Sequence, residues 1–237
     1  AEGIAMYCGV TYDACRQGAA GVTVCVEKDG KPLEITSEKL FVATGRRPNT
    51  DGMGLAEAGI ELNVQGAIVV GDDMQTSSPG VYAAGDVTDR DQFVYMAAYG
   101  AKIAAKNAVA GEANRYDNAT MPWVVFTDPQ VAGVGLSEAQ AREAGHEVKT
   151  SVVTLDNVPR GLIKLVADAK TDRLLGGQII APEGSDSIQT LALSLKFGMT
   201  AKALGETIFP YLTTVEGLKL AAQTFDMDVA KLSCCAG

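Results

Sequence analysis

From Met121 to Phe225, strand patterns come first and helix patterns follow. This order restricts the possible folds more than any other feature of the chain. Residues 147–155, 161–168 and 173–181 alternate or run apolar over strand lengths, and Lys170-Thr171-Asp172 turns the last pair. Pro122–Gly135 reads as two strands around Thr127-Asp128-Pro129. Ser137–Ala144 reads as a helix capped by Ser137. Helical patterns then occupy about 185–197, 200–207 and 214–225. Strands followed by a run of helices bury both apolar faces when the helices cover one side of an antiparallel sheet, an α+β domain. The hydrophobic fraction of 47% is ample for its core. Gly111–Thr120 is polar and reads as a linker into this half.

The first half has a different grammar. Residues 22–27, 31–35 and 39–43 read as strands, with Lys28-Asp29-Gly30-Lys31 as a hairpin turn. Gly45–Thr50 is a loop, Gly54–Ala58 a short helix and Ile68–Val70 a short strand. Ser78-Pro79-Gly80 then turns the chain into Val81–Ala84, read as a short buried strand. Gly85-Asp86 follows, then an Ala-rich helix from about Gln92 to Ala108. Strand, glycine, carboxylate and helix start in that order suggest an open α/β sheet, whose ligands bind at the carboxyl ends of strands. Asp86 would accept hydrogen bonds from a polyol, and the helix start would favour negative charge, a combination that suits a reduced flavin. The plainer alternative is a strand, a turn and a solvated Asp.

The net charge of −9 argues against nucleic acid or an anionic membrane as a partner. No apolar run is long enough to span a bilayer, and Ala1–Val10 lacks the basic start of a signal peptide. The five cysteines, Cys8, Cys15, Cys25, Cys234 and Cys235, match no zinc spacing and suit a reducing cytoplasm. Cys8 and Cys25 sit in apolar surroundings and are expected to be buried. His146, the sole histidine, lies in an Ala-Gly-His-Glu-Val turn and is expected to be exposed, so no Ser-His or Cys-His nucleophile is expected.

Two stretches in order, Ala43-Thr44-Gly45-Arg46-Arg47-Pro48-Asn49 and Val81-Tyr82-Ala83-Ala84-Gly85-Asp86, resemble the flavin-dependent pyridine nucleotide–disulfide oxidoreductases. The resemblance runs along the whole chain but only to the C-terminal half of the family. No Gly-x-Gly-x-x-Gly and no N-terminal Cys-x-x-x-x-Cys is present, and Ala1 opens the chain without Met in mid-pattern. The resemblance implies an α/β part followed by an α+β part. Residues 1–46 would be the end of the NAD(P)-binding domain, 47–121 the end of the FAD-binding domain, and 122–237 the dimerisation domain of a homodimer. It also implies FAD and NADPH as cofactors, with Asp86, Phe93 and Val94 on the flavin.

The C-terminus narrows the expected chemistry. Cys234 and Cys235 are adjacent thiols that could take a soft metal ion and pass it on by ligand exchange; an incidental Cys pair or a vicinal disulfide are the alternatives. In other family members the place of Pro210-Tyr211-Leu212 holds a His acid/base, oriented by a Glu further along. Here Tyr211 takes the His position and Glu216 the Glu position. A phenol is a poor base at neutral pH but can ligate or hydrogen-bond near a metal–thiolate complex. Thr213-x-x-Glu216 equally forms a capping box. Tyr for His and the Cys-Cys tail resemble the members that reduce Hg(II) to Hg(0). By that resemblance Tyr211, Cys234 and Cys235 are both the catalytic and the metal-handling residues, acting across the dimer, with mercuric ion and small thiols as partners. A dihydrolipoamide dehydrogenase-like flavoprotein and a non-catalytic, dimerising metal-binding module are the alternatives. Thr200, Leu204, Ile208 and Leu212 recur at near-helical spacing as an apolar stripe. Asn157–Arg160 runs into Gly161 several residues sooner than the family pattern does.

Overall fold

The computed structural model describes residues 3–155 and 161–227, so the Arg160–Gly161 junction and the tail with Cys234 and Cys235 lie outside the described residues. The chain forms two compact units: one of residues 1–70 and 75–101, the other of 71–74 and 102–237.

In the first unit an antiparallel meander joins β1 (Val10–Gly18), β2 (Gly21–Lys28) and β3 (Lys31–Ser37). The hairpin turn lies where it was expected. Lys28 pairs with Lys31, and Asp29 and Gly30 both take positive φ, 53° and 74°, as a two-residue hairpin turn demands. β1 went unread in the sequence because it is largely exposed and carries no apolar alternation; its signal is the Gly18/Gly21 pair bracketing a two-residue turn. Lys39–Val42, expected as a strand, is not one. It pairs with no strand among the described residues, and Leu40, Phe41 and Val42 are 43%, 89% and 65% exposed. Gly54–Ala58 closes as a single turn, and Ile68, Val70 and Tyr82 make isolated bridges, so Val81–Ala84 is not a full strand. α1 (Val94–Ala110) is the expected helix. Cys25 is buried as expected. Cys8 is exposed, because the unpaired segment before β1 gives it nothing to pack on.

The second unit follows its sequence closely. β4 (Trp123–Val125), β5 (Gln130–Gly135), β6 (Val148–Thr154), β7 (Leu162–Asp168) and β8 (Leu174–Ala181) form one antiparallel sheet in the order β4-β5-β8-β7-β6. α2 (Glu138–Glu143) starts in a full capping box between Ser137 and Gln140. α3 (Gly184–Lys196) packs on β5 and β8, and α5 (Glu216–Gln223) on β6 and β7, with α4 (Ala201–Glu206) against α5. Val134, Ile163, Leu165, Ile179, Ile188, Leu191, Leu204 and Leu218 fill the layer between sheet and helices and are almost wholly buried. The stripe from Thr200 to Leu212 does not form. α4 ends at Glu206, Leu204 points into the core, and Ile208 is 94% exposed.

His146 is half-buried rather than exposed. The turn after α2 brings its Nδ1 to 3.1 Å from Asp168 Oδ2 at the end of β7. Asp168 Oδ1 accepts from the Thr171 amide at 2.9 Å, the Thr171 hydroxyl at 2.9 Å and the Lys170 amide at 3.1 Å. The Thr171 amide, then His146, then the Thr171 hydroxyl hold the Asp168 carboxyl down at about 2. A folded-state value below the ordinary carboxylate value of about 3.9 means stability that is present above about 3.9 and lost as pH falls through the folded value. We expect the stability gap between the native chain and Asp168→Asn to shrink as pH falls from about 4 toward 2. Denaturant melts across that range check this; a gap that does not change with pH would contradict it.

Candidate functional site

In the first unit, Asp86 opens a 3-10 turn (Asp86–Thr88) just before α1, and half of its side chain is exposed. Gly85 in front of it has φ 85°, and a Cβ there would stand 3.1 Å from the Ala97 Cβ. Only glycine both takes that backbone and lets the segment lie this close to α1. Arg46, from the Ala43–Asn49 loop, donates through Nη1 to Asp86 Oδ2 at 3.2 Å and to the Gln92 carbonyl at 2.9 Å. One side chain thus ties both expected motifs to the approach of the helix. Sequence reading singled out the motif that contains Arg46 but not this contact.

Phe93 and Val94 stand at the start of α1. Val94 is 89% exposed, and Phe93 stacks on Tyr95 with ring centroids 5.2 Å apart. Burial, then the Asp91 charge, pushes the Tyr95 phenol up. Arg46 links the half-exposed Asp86 carboxylate to the backbone of Gln92, the residue before Phe93 and Val94.

In the second unit, Tyr211 sits on the turn between α4 and α5 and is 57% exposed. Leu212 beside it has φ 57°, a left-handed conformation that a branched side chain seldom takes. Glu216, 6% exposed in the first turn of α5, accepts the Leu212 amide on Oε2 at 2.8 Å. Thr213 Oγ1 donates to the Pro210 carbonyl at 2.8 Å and accepts the Glu216 amide at 3.3 Å. The expected capping box is half present. The threonine caps Glu216, but the glutamate reaches one residue further back, to Leu212 instead of Thr213. Cys234 and Cys235 lie outside the described residues. Among the described residues no cluster of three or more His, Cys, Asp or Glu could hold a metal ion, and no helix is long and apolar enough to cross a membrane.

Residues 1–108 match the family model for the pyridine nucleotide-disulphide oxidoreductases, and residues 121–222 match the dimerisation domain of the same family. The mercuric reductase of Bacillus cereus is 47% identical over all of this chain, and that of Acidithiobacillus ferrooxidans 53% identical over 86% of it. The chain spans 39% of the length of each. Among solved structures, LpdA from Mycobacterium tuberculosis superimposes with a TM-score of 0.82 at 25% identity, over 95% of this chain and 50% of LpdA.

Proposed function

The chain belongs to the pyridine nucleotide-disulphide oxidoreductase family, and we propose that it is the C-terminal portion of a mercuric reductase. The overall reaction is Hg(II) plus NADPH giving Hg(0), NADP+ and a proton, so two electrons leave the nicotinamide as hydride and reach the metal. The observation that carries this reading is Tyr211, set on a half-exposed turn anchored by a buried carboxylate, in a chain about half identical to named mercuric reductases.

Asp86, Phe93 and Val94 would hold FAD, which when bound supplies the relay of the electron pair. Asp86 Oδ1 would accept from a ribityl hydroxyl while Arg46 holds Oδ2. Phe93 and Val94 offer apolar surface, and the start of α1 favours negative charge. Cys234 and Cys235, as thiolates, would exchange ligands with incoming mercuric–thiol complexes, each mercury–sulfur bond replacing another. Tyr211 would act after them, as a weak oxygen ligand or hydrogen-bond donor. A weak ligand suits transfer, because it holds the ion without trapping it.

The dimerisation domain supports a homodimer, with Tyr211 and the tail thiols serving the partner subunit's site. Residues 1–46, 47–121 and 122–237 are proposed as the ends of the NAD(P)-binding and FAD-binding domains and the dimerisation domain. The reading includes a cytoplasmic location, small thiols as carriers of the ion, and no nucleic acid or membrane partner. The full-length protein should show a flavin absorbance spectrum and release mercury vapour on addition of NADPH and Hg(II). Flavin-loaded protein that oxidises NADPH with lipoamide or another disulfide as the acceptor but not with Hg(II) would refute it.

A further inference from the structure

We infer that Glu216 holds the turn that presents Tyr211, by clamping Leu212 in its left-handed conformation. The inference rests on the reading above only for what Tyr211 does; the clamp stands on its own geometry.

Leu212 at φ 57° places its Cβ against its own carbonyl, so the turn needs an outside contact to persist. That contact is the Leu212 amide on Glu216 Oε2 at 2.8 Å, a charge-assisted hydrogen bond from a half-exposed residue to a buried carboxylate. The carboxylate is itself well seated. It lies in the first turn of α5, where the helix dipole favours negative charge. That end of the helix lies flush on the sheet. A Cβ at Gly217 would stand 2.7 Å from Ile163 Cδ1 and 2.9 Å from Leu155 Cδ2. Rigidity therefore passes from the sheet core to α5, to Glu216, to the backbone of Leu212, and so to Tyr211. On the other side of the tyrosine, the Thr213 hydroxyl on the Pro210 carbonyl closes the same turn. In this arrangement Glu216 acts on the backbone next to Tyr211, as a positioning residue and not a proton-transfer partner.

The test uses the full-length protein with Glu216→Ala, Glu216→Gln, and Glu216→Ala combined with Leu212→Gly. Hydrogen exchange of residues 209–213 reads the clamp, and Hg(II) turnover reads its consequence. Glu216→Ala should speed exchange in this segment by roughly tenfold or more while leaving the core strands protected. Glu216→Gln should stay within a few-fold of the native rate, because its carbonyl oxygen can accept the same amide. Leu212→Gly should recover most of the turnover lost in Glu216→Ala, since glycine adopts the backbone without help. If Glu216→Ala does not fold, Glu216→Asp keeps the charge at the helix start but falls short of Leu212, and takes its place. Unchanged exchange at 209–213 in the alanine or aspartate variant overturns the clamp. Faster exchange with full turnover upholds the clamp and instead removes Tyr211 from the reaction.

Discussion

Replacing Cys234 and Cys235 by alanine in the full-length protein is expected to slow mercury reduction at least about tenfold when Hg(II) arrives on a bulky thiol. Loss of an outer partner of a metal site already costs about 10–100-fold, and here the ligands themselves are lost. The tail thiolates matter most when the competing thiol must be displaced by exchange, because a fixed inner site cannot reach a bulky complex. With a small mercury complex the same variant should come much closer to the native rate. Tyr211→Phe should behave differently and lose activity under every presentation. Removing one hydroxyl contact to a charged complex costs about 1.5–3 kcal/mol, or roughly 10–100-fold in rate if the contact is made in the transition state. Steady-state NADPH oxidation with mercury on small and bulky thiols separates the two. Equal rates for the native and double-cysteine proteins under all presentations would make the tail incidental. A fully active Tyr211→Phe would remove the phenol from the site.

Asp86→Ala is expected to weaken FAD retention in the full-length protein by about 10–100-fold in Kd, the equivalent of one charge-assisted hydrogen bond of about 1.5–3 kcal/mol. The Arg46–Asp86 pair is more than half exposed on both sides, so its loss should barely change thermal stability. The effect should therefore appear as flavin loss on dilution, with an unchanged melt of the flavin-free protein. Asp86→Asn, which can still accept a hydrogen bond from a hydroxyl, should retain more flavin than Asp86→Ala. Flavin affinity unaltered in Asp86→Ala would withdraw Asp86 from the cofactor site.

Most of the second unit could be read from residues 121–225, and the reason is local. The strands alternate or run apolar over strand lengths, Ser137 and Gln140 meet the geometry of a cap, and Lys170–Asp172 carries turn chemistry. α3 and α5 likewise differ from the expected spans by only one or two residues at each end. Each signal is complete within a few residues, so no distant partner is needed to interpret it. The motif containing Asp86 and the substitution of Tyr211 for His were visible for the same reason. The acidic charge and the absence of a zinc spacing followed from counting.

What the tertiary structure decided depends on partners far apart in sequence. Lys39–Val42 has the residues of a strand, yet a strand needs a neighbour to take its hydrogen bonds, and none pairs with it among the described residues. β1 shows the reverse: its residues carry no alternation, yet it is a strand because β2 pairs with it along its length. His146 met Asp168 across 22 positions, and Arg46 met Asp86 across 40. Glu216 accepts the amide of Leu212 and not that of Thr213, and Leu212 is left-handed, a backbone choice that leaves no mark on residue type. Composition and periodicity set which segments could be helix or strand. Backbone pairing and burial then decided which of them formed, and which polar side chains were brought within reach of one another.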